Sequence, residues 1–91
     1  MKLAEILQDI HGLEAKLQEL EKQYGILSQD FYILHQLGEI EQSRDMIRWV
    51  GYYELRQARQ QSYQVALRER LVALRQSQMG HSLTLQPVFA S

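Results

Sequence analysis

A chain of 91 residues has room for one domain, and at this size folding buries only ~60–65% of the surface that the unfolded chain exposes, so the core is thin. It has no cysteine, which removes disulfides and thiol chemistry together, and no stretch approaches the ~18–20 apolar residues of a membrane span. The net charge of −1 divides unevenly: residues 1–45 set four basic side chains against nine acids, for −5, while residues 46–91 set six arginines against Glu54 and Glu69, for +4. Such a split suits two halves folding against each other, or an arginine-rich half meeting an acidic partner or nucleic acid.

The N-terminus, Met1-Lys2-Leu3-Ala4-Glu5, places an acid where a signal peptide needs an apolar run, so a cytoplasmic location is expected. From there Leu3, Ile6, Ile10, Leu13, Leu17, Leu20 and Tyr24 recur at alternating spacings of three and four. That pattern is an amphipathic helix with a coiled-coil-like seam, about 30 Å long over some twenty residues. A 91-residue chain has little with which to cover so long a seam, so a homo-oligomer, with a dimer favoured, is expected. Gly12 lies inside the helix at a cost of about 1 kcal/mol relative to alanine, which the periodic flanks override.

Tyr24-Gly25-Ile26 breaks the pattern, with Gly25 able to take the left-handed conformation that closes a helix. Ser28 is the expected cap of a short second helix, Gln29 to Leu37, presenting Phe31 and Leu34 and ending at Gly38. Ser43 is the next cap, with Asp45 just inside. A third, long helix then runs to about Gln78, before Gly80. Its seam begins with Met46, Val50 and Tyr53, ends with Leu67, Leu71 and Leu74, and passes through Gln57, Gln60 and Gln64 between them. The middle is therefore weakly packed, or packed on a different face. Gly51, beside Trp49 and Tyr52, marks a close approach of a bulky neighbour or a kink.

Residues 81–91 read as an apolar tail: Leu83 and Leu85 alternate with polar residues, Pro87 stops the alternation, and Val88 and Phe89 follow. Such a segment is either an extended arm for a groove or sheet edge, or a disordered end. The fold expected is all-α: one helical domain over 1–80, two long amphipathic helices joined by a short one as an antiparallel hairpin or coiled-coil-like bundle, then the tail.

Few side chains are grouped for chemistry. None of His11, His35 and His81 has a second metal ligand at zinc-site spacing, and no Glu-x-x-His motif occurs. The serines lack a base–orienter pattern, and the five glycines form no phosphate loop. No enzyme activity, metal or cofactor is expected. Trp49, Tyr52, Arg48 and Arg56, by contrast, combine the residue types enriched at interface hot spots, and with Leu83, Leu85, Val88 and Phe89 they are the expected partner-binding residues. Trp49 has a competing reading as a core residue over Phe31 and Leu34.

The stretches YGILSQDFY and GEIEQSRDMIRWVGYYEL resemble short bacterial helical proteins that form the antitoxin half of toxin–antitoxin pairs. Tyr24, Gly25, Phe31, Gly38, Glu39, Asp45, Trp49 and Tyr52 or Tyr53 carry the resemblance, which spans residues 3–55. It implies that a toxin, often a ribonuclease, is neutralised by occluding its active surface. The leading expectation is thus a small helical protein-binding module, with this antitoxin role as its specific form. The alternatives are a structural coiled-coil assembly subunit without a separate partner, and a nucleic-acid-binding regulator using the arginine-rich third helix.

Overall fold

A computed structural model describes residues 2–77 and Leu85. Three helices follow in order: α1 (Leu3–Tyr24), α2 (Ser28–Gln36) and α3 (Arg44–Ser77). The described residues contain no strand, so the chain is all-α, and α1 and α3 form an antiparallel hairpin with α2 filling its closed end.

Local chemistry accounts for each boundary. Gly25 sits at φ 71° and its N–H donates to the Glu21 carbonyl over 2.8 Å, closing α1 in the left-handed cap that only glycine adopts cheaply. The Glu21 carboxylate then reaches forward and accepts the Ser28 N–H at 2.8 Å. It thereby places an anion at the positive end of α2 and occupies one of its unpaired donors. Ser43 caps α3 as expected: its Oγ accepts the Met46 N–H at 3.2 Å, and its carbonyl accepts that of Ile47 at 2.9 Å. Ser28 is not the cap of α2. It is the helix's first residue and is buried, and its hydroxyl is taken by the core.

That core is the corner where the three helices meet. Trp49 is wholly buried and lies on Phe31, with ring centroids 4.0 Å apart and planes 5° from parallel. Its indole Nε1–H, which would be costly to bury alone, donates to Ser28 Oγ over 2.8 Å. Leu17 and Leu20 of α1 complete the cluster, with Ile26, Ile40, Met46, Val50, Tyr52 and Tyr53 packed around it. Tyr24 covers the outer edge of Trp49, with ring centroids 5.7 Å apart, and donates its hydroxyl to Asp45.

Away from the corner, Ile6, Ile10 and Leu13 of α1 are buried as well. What covers them is a stripe of α3 different from the expected one. Along the middle of α3 the half-buried residues Tyr52, Arg56, Arg59 and Tyr63 recur at four, three and four, while Met46, Val50 and Tyr53 of the expected seam pack at the corner. The glutamine positions Gln57, Gln60 and Gln64 face outward instead. Long amphipathic side chains thus lay their stems and rings over the aliphatic seam while their polar ends stay at the surface. The α1 seam is therefore covered within the chain along most of its length. Its two ends are the exceptions: Leu3 is half-buried, and Tyr24 is 42% exposed and edges the core without entering it. Gly51 marks no close approach of a neighbour, since a Cβ built there would meet nothing within 4 Å, and α3 continues through it as one helix.

Candidate binding surface

Three cross-helix pairs give the register of the hairpin. Arg59 Nε donates to Asp9 Oδ2 at 3.0 Å, Lys16 Nζ stands 5.1 Å from the Tyr52 ring centre, and Tyr24 bonds Asp45. In each case the two residue numbers sum to 68 or 69, so Leu3 lies level with Val65. α1 has 22 residues and α3 has 34, and residues 66–77 of α3 project past the end of α1 by about 18 Å.

This overrun is the least expected surface. Leu67, Leu71 and Leu74 share one face at spacings of four and three, half-buried, and Val65 and Val72 beside them are 59% and 52% exposed. Gln64, Leu67, Arg68, Leu71, Val72 and Arg75 line a shallow, mainly apolar groove of about 290 Å³. Among the described residues its walls all come from α3. Sequence reasoning placed Leu67, Leu71 and Leu74 on a seam but not in a site. The signal that distinguishes them is helix length, because a 22-residue antiparallel helix leaves part of a 34-residue partner uncovered.

The residues expected to bind a partner separate into three groups. Trp49 is core, fully enclosed between Phe31 and Ser28, and is corrected from a contact residue to a structural one. Tyr52 and Arg56 are half-buried on the α1-facing stripe. Arg56 lays its guanidinium over the Tyr53 ring at 5.1 Å, and its Nε is enclosed without a hydrogen-bond partner among the described residues. Arg48 is exposed and lines a second, more polar groove of about 320 Å³ with Lys16, Glu19, Gln23, Asp45 and Tyr52. Acids and bases alternate around this groove, so it carries no net preference for an anion or a cation. Leu85 is 78% exposed; Leu83, Val88 and Phe89 lie outside the described residues.

Two tyrosines have altered acidity. The Tyr24 hydroxyl donates to Asp45, and the hydrogen bond, partial burial and the nearby negative charge all hold its pKa above the ordinary 10.0. Tyr32 behaves likewise through its 2.7 Å bond to Glu54. The Tyr24–Asp45 and Tyr32–Glu54 contacts pin α1 and α2 to α3. No three His, Cys, Asp or Glu side chains converge to hold a metal among the described residues, and no described helix is long and apolar enough to cross a membrane.

No family model, curated protein or solved structure matches this chain. The residues that carry the antitoxin resemblance can still be placed. Gly25 and Gly38 take the two positive-φ turns, Phe31 and Trp49 stack, and Tyr24 and Asp45 bond to each other. Together they build the closed end of the hairpin. Most of these residues thus set a helical corner, while Glu39 is exposed and Tyr52 lines the polar groove.

Proposed function

We propose that this chain is a helical protein-binding module whose contact surface is the α3 overrun. The observation that carries the reading is the extension of α3 twelve residues past the level of Leu3 with an apolar face toward a groove. Isolated helices of this length are marginal in water, and a leucine stripe on one gains most of its stabilisation when another helix covers it. Single exposed apolar residues are ordinary on protein surfaces; a register-matched series on a helical segment that no other described helix reaches is not. The antitoxin role, in which the covered partner is a nuclease-like toxin, is the specific form of this proposal that the residue 3–55 resemblance supports. The resemblance stops before the overrun, so the toxin identity rests on it alone.

Nucleic-acid binding draws less support from the same surface. Arg59 is paired with Asp9 and Arg56 is stacked on Tyr53, which takes two arginines out of any basic stripe. Arg44 and Arg48 lie at one end of α3 and Arg68 and Arg75 at the other, about 30 Å apart along the helix.

The test is site-specific photocrosslinking in the native cell, with the photoreactive residue at position 71 and a control at exposed Gln18 on α1. A discrete adduct formed at position 71 and absent at position 18 is the expected result. Equal labelling at both positions overturns the reading.

A further inference from the structure

We infer that the α3 overrun recognises an acidic amphipathic helix, one with an apolar seam flanked by glutamate or aspartate. This deepens the binding reading above and rests on it. Counting the stripe as a heptad with Leu67 and Leu74 at d and Leu71 at a puts Arg68 and Arg75 at e and Arg70 at g. These are positions that face the charges of a helix lying along the seam; of the four in the overrun three are arginine and the fourth is Ser77. The one acid of the segment, Glu69, falls at f, on the side away from the seam. Arg68 and Arg75 line the groove itself, and both are exposed.

The same arrangement decides against a second copy as occupant. In a parallel self-pair e meets g of the other helix; in an antiparallel one e meets e and g meets g. In the parallel case Arg70 stands opposite Arg75 of the other helix on both sides of the pair, and in the antiparallel case arginines at e or g meet their counterparts, each an unfavourable pairing. The acidic helix already in the molecule, α1, is excluded too, since its aliphatic seam is buried on the rest of α3. An incoming helix must bring its own apolar seam together with acidic flanks. Leucine at its a and d positions fills the groove between Leu67, Leu71 and Val72, and carboxylates at e and g accept forked hydrogen bonds from the arginines.

The experiment uses the full-length chain and two fluorescein-labelled peptides of about four heptads, both with leucine at a and d. One carries glutamate at e and g, the other lysine. Fluorescence anisotropy should show the glutamate peptide binding at least about tenfold tighter, with the gap narrowing as salt screens the flanks. Leu71→Asp should abolish binding of both. The charge swap Arg68→Glu with Arg75→Glu should reverse the preference toward the lysine peptide. Both changes lie beyond the hairpin core, so far-UV circular dichroism and Trp49 emission should remain unchanged, which separates lost recognition from lost fold.

Equal affinity for the two peptides, or a charge-swapped chain that still prefers glutamate, overturns the inference. So does sedimentation showing a dimer that Leu71→Asp dissociates, because the face then belongs to a second copy. Binding that emerges only when residues 81–91 are removed assigns the face to the chain's own end and overturns it as well. A discrete adduct at position 71 with no binding of the acidic peptide would leave the binding module standing and remove only the acidic-helix assignment.

Discussion

Replacing Ser28 with alanine should destabilise the protein far more than its small size and its place at the start of a nine-residue helix suggest. Ser28 Oγ is the acceptor for the Trp49 indole N–H at 2.8 Å, and both residues are excluded from solvent. Removing the hydroxyl leaves a buried donor without its partner, at a cost of about 1–3 kcal/mol. The Ser28 backbone N–H keeps its bond to Glu21, so the loss reports on the side chain alone. For a domain of this size each kcal/mol lowers Tm by about 4–8 °C, and the change is measurable by denaturant titration. Trp49 is the chain's one tryptophan, so its fluorescence reads the corner while far-UV circular dichroism reads the helices. A double-mutant cycle with Trp49→Phe isolates the bond: phenylalanine retains an aromatic ring against Phe31 but has no N–H to donate. In that background Ser28→Ala should cost at least about 1 kcal/mol less than in the wild type. An identical cost in both backgrounds would show that the bond contributes nothing and that Ser28 acts through packing alone. For comparison, Ser43→Ala removes an exposed cap and should cost about 0.5–2 kcal/mol, read mainly at the start of α3.

Leu17→Asp, placed in the most enclosed part of α1, should unfold the chain, whereas Leu71→Asp should leave thermal melts unchanged; equal losses would show that the overrun belongs to the core. Gly12→Ala and Gly51→Ala each put a methyl into open space in a helix interior and should raise stability by up to about 1 kcal/mol, while Gly25→Ala, at φ 71°, should lower it by about 1 kcal/mol in the same denaturant assay. Arg59→Ala should cost no more than about 1 kcal/mol in charge interaction, because its pair with Asp9 is 32% and 44% exposed; a coupling larger than that in a double-mutant cycle would mean the pair is desolvated. Tyr24 and Tyr32 should ionise later than free tyrosine in an ultraviolet titration. Because their folded pKa values lie above the unfolded value of 10.0, the stability they contribute is present below pH 10 and is lost as pH rises past it. Tyr24→Phe and Tyr32→Phe should each remove part of that alkaline loss, and an unchanged alkaline profile in the double variant would refute the assignment.

Sequence alone determined those features of this protein whose cause is local. The spacing of Leu3 through Leu20 makes α1 amphipathic in any context, Gly25 and Gly38 mark turns because side chains disfavour positive φ, and the serine at 43 caps by bonding within its own first turn. Three helices of about these lengths follow from such rules. What needed the tertiary structure was which face of α3 packs. Periodicity favours the stripe through Val50, Gln57 and Leu67, yet the helix turns Arg56, Arg59 and Tyr63 onto α1, since long amphipathic side chains can cover aliphatic surface without burying their charge. The role of Ser28 was hidden for a related reason: its sequence position suits a cap, and only the approach of the indole from twenty-one residues away assigns its hydroxyl to the core. The overrun was decided by register. The leucines at 67, 71 and 74 look like any seam until the antiparallel pairing shows that the last level of α1 is Val65, so that α1 cannot cover them because it is the shorter helix.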